Sequence, residues 1–186
     1  MPFLECGAML RLSLHASPRT ATLLGLLAAC PALWAQTPPL DSLLGGDEVQ
    51  LQASFPSAQR LGKPRPGPRG LRGQWTVPSA PLAGLPFEAT FFFKNKQVQR
   101  IEQTWAASGT ACEERNSFTP LSQNLQARYG TSPVLAGGNG DSGEQQLSAA
   151  WTRDELEVVA HFAKSAARCS LRVVYQARVT KDASEL

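Results

Sequence analysis

The chain has few of the residues that carry most enzyme chemistry. Histidine occurs twice in 186 residues, as His15 and His161, and cysteine occurs four times. One histidine and two cysteines outside the N-terminal leader are too few for a structural zinc site or for a recognisable nucleophile–base pair. Neither sign of charge predominates, because the chain has 18 basic and 15 acidic residues. This balance does not indicate a nucleic-acid-binding protein.

Long hydrophobic runs are absent as well. The longest, ATLLGLLAACPALWA at residues 21–35, is shorter than the roughly 20 residues that a membrane-spanning helix needs. It follows a basic leader containing Arg11 and Arg19, which predicts a secretory signal peptide over residues 1–35, with Met9 as an alternative start. No other apolar run approaches membrane length, so we expect no transmembrane segment in the processed chain.

Two processing sites are compatible with this leader. Cleavage after Ala35 leaves 151 of the 186 residues, a length that suits one domain. The alternative is LAAC at residues 27–30, which is similar to a bacterial lipobox and makes Cys30 a candidate lipidation site. The first predicts a periplasmic or secreted protein, of Gram-negative type, and the second predicts the same protein anchored to lipid through Cys30.

The two remaining cysteines predict a disulfide. Cys112 and Cys169 lie 57 residues apart, and a pair of cysteines in an exported chain is most simply explained by a bond between them. The alternative is a pair of buried free thiols.

The first half of the chain reads as one helix followed by three strands. Residues 36–42 are a short linker, and Asp41 or Ser42 caps a predicted helix over 43–53. Residues 56–70 hold four prolines and three glycines, which predicts a loop. Strands are predicted at 71–77, 85–94 and 97–105, with Lys94-Asn95-Lys96 as a tight turn.

The second half repeats this order. The Thr119-Pro120 pair predicts a helix start, and Gly130 predicts its end after Tyr129. A loop is expected over 131–143, then strands at 144–152, 154–162 and 168–180, with a disordered tail at 181–186. In the last strand Cys169 and Tyr175 share the buried face, because apolar residues alternate with polar ones.

A short sequence similarity between the two halves supports an internal duplication. LQASFPSAQRL at 51–61 resembles LQARYGTSPVL at 125–135, and a Trp-Thr pair occurs in the first predicted strand of each half, at 75–76 and 151–152. We therefore predict an α+β fold of two α-β-β-β repeats, over 43–106 and 110–180, within a single domain at 43–180. The repeats form an antiparallel sheet with the helices packed on one face.

Motifs that suggest catalysis fail on inspection. GDSG at 140–143 is similar to the nucleophile motif of trypsin-like proteases, but Glu144 follows it and no suitable histidine precedes it. Asp141 and Glu144 have the wrong spacing for a calcium loop. We predict no catalytic residues, no metal site and no cofactor.

Two surfaces are candidate binding sites. The first is the sheet face that the helices leave uncovered, where Glu88, Thr90, Glu102 and Glu157 accompany the main candidates. These are Phe92, Val98, Arg100, Val159, His161, Arg172, Val174 and Arg178. The second is a basic loop that suits an anionic partner or is simply solvated, formed by Arg60, Lys63, Arg65, Arg69 and Arg72.

The pattern of Cys112, Leu121, Leu125, Tyr129-Gly130, Trp151 and CSLRVVY at 169–175 resembles that of small exported bacterial proteins of unassigned function. The helix–three-strand unit and its duplication are similar to the architecture of β-lactamase inhibitor proteins. A single unit resembles the outer-membrane assembly lipoproteins of the BamE/SmpA type. The resemblance implies a non-enzymatic protein that binds an envelope protein as an assembly accessory or inhibitor. The alternative from a different class is a small secreted hydrolase with an unrecognised site.

Overall fold

The computed structural model describes residues 38–130, 134–139 and 144–178, all of them within the unit Gln36–Leu186. The predicted signal peptide, Cys30, the GDSG loop and the tail at 181–186 lie outside the described residues.

The described chain contains two α-helices. Helix α1 spans Glu48–Ser54, and helix α2 spans Phe118–Tyr129. Asp47 begins α1 with a capping box, in which its side chain accepts a hydrogen bond from the Gln50 backbone and the Gln50 side chain accepts one from the Asp47 backbone. Gly130 ends α2 with φ of +93°, a left-handed conformation that glycine adopts without steric cost.

Eight strands form one antiparallel sheet. They are β1 (Gln59–Pro66), β2 (Arg72–Val77), β3 (Glu88–Lys94), β4 (Gln97–Ser108), β5 (Val134–Asn139), β6 (Gln145–Arg153), β7 (Leu156–Ser165) and β8 (Arg168–Ala177). Their order across the sheet is β1-β2-β3-β4-β8-β7-β6-β5. The last strand in the chain therefore pairs with β4 at the centre, and β1 and β5 are the edges.

The core lies between the helices and one face of this sheet. Leu51 of α1 and Leu121 and Leu125 of α2 belong to the same buried cluster as Phe91 of β3 and Leu171 of β8. Alternation in the strands explains this arrangement, because every second side chain points to the helices. The predicted α+β class with an antiparallel sheet is confirmed.

The first helix begins later than the pattern predicted. Residues Leu40–Leu43 form a separate 3₁₀ turn, and α1 starts only at Glu48, after Asp47 rather than after Asp41 or Ser42. Gly45 lies between them with φ of +81°, which no right-handed helix accommodates.

Two predicted loops contain strands, so each half has four strands instead of three. Strand β1 lies within 56–70, and β5 lies within 131–143. Each has a single neighbour because each is an edge. The prolines of β1 are tolerated for that reason, since an edge residue that lacks an N–H breaks no hydrogen bond to a second neighbour.

Candidate functional site

The face of the sheet opposite α1 and α2, here called the open face, is built from cross-strand rows. One row joins Thr104 of β4, Arg172 of β8 and His161 of β7, and the next joins Ala106, Ser170 and Ala163. The strand registers therefore bring His161, Arg172 and Val159 together with Arg100 and Val174, as the alternation of β7 and β8 predicts.

Val98 is not on the open face, and its predicted place there is wrong. Phe92 pairs with Arg100, but Phe93 pairs with Val98, so Gln99 is an extra residue that forms a β-bulge. The bulge shifts the alternation by one, and Val98 points to the helices, where it is 1% exposed. Its backbone N–H donates to the Gly46 carbonyl in that position.

Two apolar residues of the open face are almost fully buried, whereas Val159 is half-buried. Phe92 is 4% exposed and Val174 is 3% exposed. The backbone at Gly67 lies against the Phe92 ring, since an added Cβ at that glycine would come within 2.7 Å of Phe92 Cδ1. Neither Phe92 nor Val174 is therefore available for hydrophobic contact with a partner.

A network of hydrogen bonds engages the acidic residues of the open face. Arg100 donates to Glu102 Oε1 at 2.6 Å and to Gln176 Oε1 at 2.6 Å. Gln176 in turn donates to Glu157 Oε2 at 2.6 Å. Near the β1 edge, Arg65 donates to Glu88 Oε1 at 2.9 Å and to Thr90 Oγ1 at 3.1 Å. These carboxylates therefore have partners already.

Two arginines of the open face have no ion-pair partner among the described residues. Arg172 and Arg168 are exposed, and in the part of the chain that the structure describes neither takes part in an ion pair. Arg178 is likewise exposed and unpaired there. The open face thus presents positive charge that no described residue neutralises.

A shallow trough runs between Arg172 and Arg168. Two adjoining depressions of about 410 Å³ each share the small side chains Ala106, Ala163 and Ser170 as their common floor. His161, Arg172 and Glu88 line one side, and the other side is lined by Arg168, Lys164 and Glu144. Because the floor carries only small side chains, an extended polypeptide can approach the sheet closely here. We call this feature the arginine trough.

His161 has a neighbour that sequence reasoning missed. Its Nδ1 lies 3.3 Å from the Ser148 hydroxyl oxygen, because Ser148 of β6 and His161 of β7 are directly opposite each other. The two-residue turn at Asp154-Glu155, where Asp154 has φ of +53°, fixes this register. Interpreting Asp154-Glu155 as the two-residue turn of a β-hairpin would have predicted that Ser148 lies opposite His161.

The surroundings of His161 disfavour the protonated form of its imidazole. Burial lowers the pKa of its imidazole below the usual value, the positive charges of Arg172 and Arg100 lower it further, and Glu102 opposes them. A neutral imidazole beside a hydroxyl is able to accept a proton. Within the described residues, however, Ser148 is its one hydrogen-bonding partner, so no third group orients the ring as a catalytic triad requires.

The predicted basic loop is divided between elements, with Arg60, Lys63 and Arg65 in β1, Arg69 in the turn Pro68–Gly70 and Arg72 in β2. Arg60 pairs with Glu48 at 3.9 Å and lies over the Trp75 ring, on the helix side. Arg65 is on the open face with Glu88. Lys63, Arg69 and Arg72 are exposed and unpaired within the described chain. These five residues therefore do not converge on one anion.

A further cavity of about 360 Å³ lies on the helix side, lined by Phe55, Gln103, Arg128 and Tyr175 among others. The polar groups at its floor satisfy one another. The Tyr175 hydroxyl donates to Gln103 Oε1 at 2.8 Å, and Gln103 Nε2 donates to the Ala80 carbonyl at 2.9 Å. Burial raises the pKa of Tyr175. The buried polar groups of Gln103 and Tyr175 therefore have partners within the protein.

The predicted disulfide is confirmed. Cys112 and Cys169 are bonded, with their Cα atoms 5.4 Å apart, and the bond connects the turn before α2 to strand β8. Among the described residues, no three His, Cys, Asp or Glu side chains gather so as to hold a metal ion. Nor does any helix there have the length and apolar character to cross a membrane.

The chain was also compared with known proteins. No protein-family model, no curated protein and no solved structure matches it. The open face and the edges of the sheet are therefore the features that bear on function.

Proposed function

We propose that the chain is an exported, non-enzymatic module that binds an acidic segment of an envelope protein in the arginine trough. One observation carries the proposal. Arg172 and Arg168 flank the trough without ion-pair partners among the described residues, whereas the carboxylates of the neighbouring rows are engaged. Pairing with Arg65 engages Glu88 at the Arg172 end of the trough, and Glu144 at the Arg168 end is the lining carboxylate that has no ion pair among the described residues.

The chemistry of the trough favours a protein partner. Arginine is enriched in protein–protein interfaces, and its planar guanidinium binds carboxylates through two parallel hydrogen bonds. Complementary charge also raises the association rate and orients the partner. The small floor of Ala106, Ala163 and Ser170 accommodates a main chain between the two arginines.

Export is the second part of the proposal. A disulfide persists in oxidising compartments such as the periplasm, and the Cys112–Cys169 bond supports that location. The N-terminal leader supports it further. We propose a periplasmic or secreted protein, with lipid attachment through Cys30 as the alternative, that acts as an envelope-assembly accessory or as an inhibitor. The resemblance to BamE/SmpA-type lipoproteins and β-lactamase inhibitor proteins supports these roles.

We also propose that the two halves are duplicates. In each half a helix precedes four strands, and the sheet order runs inward from both edges to β4 and β8. The echoed residues occupy equivalent places. Leu51 and Leu125 are buried in the helices, and Trp75 and Trp151 are buried in the second strand of each half.

The test compares two charge-reversal variants as bait in Gram-negative envelope extract. Arg172→Glu combined with Arg168→Glu reverses the trough. Lys63→Glu combined with Arg69→Glu makes the same change in charge at the β1 edge and is the matched control. We expect wild type and control to capture the same acidic partner and the trough variant to lose it.

Two results would overturn this assignment. One is capture by the trough variant that equals wild type, while its circular dichroism shows a native fold. The other is loss of the partner in the β1-edge variant alone, which would transfer the site to the basic edge. Phe92 is unsuitable as a target, because it is buried and its replacement by aspartate would unfold the protein.

The Ser148–His161 pair favours a second candidate, a small hydrolase. In that case Ser148 attacks the ester carbonyl while His161 accepts the hydroxyl proton and passes it to the departing alcohol, and water then hydrolyses the acyl-serine. Hydrolysis of p-nitrophenyl acetate by wild type, abolished in Ser148→Ala and retained in Ser122→Ala, would establish it. Equal background rates for all three proteins would remove this candidate.

A further inference from the structure

The two edges of the sheet differ in how they resist pairing with another strand. Strand β1 carries Lys63 and Arg65 together with Pro64 and Pro66. Positive charge and proline are the usual means by which natural proteins protect an edge strand. Strand β5, with the sequence VLAGGN, has no charged residue and no proline.

Strand β5 is also accessible. It has one neighbour, β6, and residues 135–138 are all exposed. Leu135 is 74% exposed, and an adjoining cavity of about 420 Å³ has a mixed lining, in which Phe118, Leu135 and Leu147 accompany polar residues of α2 and Glu114. An exposed, uncharged edge strand is a site for addition of a strand, and the cavity beside it leaves room for side chains of the added strand.

We propose that a second copy of this chain occupies the β5 edge, so that two sheets join through antiparallel β5–β5 pairing. A two-fold axis perpendicular to the sheet produces this arrangement, because it reverses the strand direction and keeps both pairs of helices on the same side. The proposal does not depend on the arginine trough, which is formed by other strands.

Charge explains why the occupant is a copy and why β5 is the edge used. Across a two-fold axis each residue faces a residue of its own strand, so a charged edge places like charges opposite each other, which is destabilising. Strand β5 is neutral and avoids this repulsion. Strand β1 would bring Lys63 and Arg65 close to their own copies, and Pro64 and Pro66 lack the N–H that pairing needs.

The register follows from the alternation of side chains. Directly opposite residues in an antiparallel pair lie on the same face of the sheet. Even-numbered residues of β5 share the open face with Ser148 and Ala150, to which they are paired, and odd-numbered ones face the helices. Even residues must therefore face even residues, and the axis passes through Ala136 or Gly137. At roughly 3.3 Å per residue, the six residues of β5 give about 20 Å of pairing.

The test introduces charge at Ala136 and Gly138. An added side chain at Gly138 meets no atom within 4 Å, and Ala136 is exposed, so Ala136→Lys plus Gly138→Lys leaves the fold intact. The matched control, Gln59→Lys plus Gly62→Lys, adds the same charge to the β1 edge, where Gly62 also has open space. Sedimentation of the full chain over about a hundredfold concentration range measures the monomer–dimer equilibrium.

We expect wild type and control to dimerise alike and the Ala136/Gly138 lysine variant to dimerise at least about tenfold more weakly. An equimolar mixture of that variant with Ala136→Glu plus Gly138→Glu should recover the dimer, since opposite charges then meet. A wild-type chain that stays monomeric throughout would leave the edge to the strand of a different protein and overturn the proposal. So would a dimer that the lysine pair does not weaken.

Discussion

Phe92 and Val174 show how single residues decide what the open face can recognise. Both point away from the helices, yet both are almost fully buried. The backbone at Gly67 covers Phe92, and beside Val174 the Arg100–Glu102 pair lies flat on the sheet, with each side chain 15% exposed. Arg172 and Arg168 remain exposed. Recognition on this face therefore depends on charge and hydrogen bonding more than on apolar contact.

His161 makes the stability of the protein sensitive to acid. Burial and the neighbouring arginines lower the pKa of its imidazole in the folded state, so the unfolded chain takes up a proton first as the pH falls. The stabilisation is present above the ordinary histidine pKa of about 6.5 and is lost as the pH falls through the folded pKa. Urea denaturation of wild type and His161→Gln at about pH 7.5 and about pH 5.5 should show a smaller loss of unfolding free energy in the variant.

An NMR titration of the His161 imidazole provides the direct check on this explanation. Its midpoint should lie below about 6.5 in the folded protein. A midpoint at or above that value would mean that Glu102 outweighs burial and the two arginines. The acid sensitivity would then have to come from another group.

The elements predicted from the sequence are those with clear alternation. Strands β2, β3, β4, β6, β7 and β8 were each found within a few residues, because they are central and have one buried face. Strands β1 and β5 were missed for a physical reason. An edge strand needs neither β-branched residues nor a continuous set of N–H groups, so prolines in β1 and glycines in β5 suggested loops. A single extra residue, Gln99, misplaced Val98.

Helix α1 is short enough that its stability depends on its first turn. It has seven residues, and Asp47 supplies both halves of the capping box with Gln50. Asp47→Ala should lower the free energy of unfolding by about 1 kcal/mol. Asp47→Asn is the matched control and should cost only a few tenths of a kcal/mol, because asparagine also caps helices. Equal losses in the two variants, measured by urea denaturation, would contradict the capping argument.

The whole molecule depends on contacts between distant parts of the chain. The β4–β8 pairing joins the two halves through nine residue pairs, from Arg100 with Gln176 to Ser108 with Arg168. Both helices contribute to the same core. The antiparallel class and the disulfide could be predicted from composition and alternation. The Ser148–His161 contact and the arginine trough could not, because they depend on which residues of neighbouring strands stand opposite each other.

The disulfide should be a large share of the stability of the molecule. It closes a loop of 57 residues, and a loop of that length corresponds to roughly 4 kcal/mol at most in the chain-entropy account. Cys112→Ala plus Cys169→Ala should lower the free energy of unfolding by about 2–4 kcal/mol. Reduced wild type should match this variant in urea denaturation, and reductant should leave the variant unchanged. A loss below about 1 kcal/mol would show that the loop is already restricted in the unfolded state.

The central position of β8 has a consequence for the order in which the protein can assemble. Until residues 168–177 have been synthesised, β4 and β7 each have an edge without its partner, and unpaired edges promote mispairing and aggregation. Cys169 lies in the same late strand, so oxidation to the native bond cannot precede its arrival. Before residue 168 is present, neither the pairing of β4 with β7 through β8 nor the Cys112–Cys169 bond can form, so the two halves of the sheet cannot join.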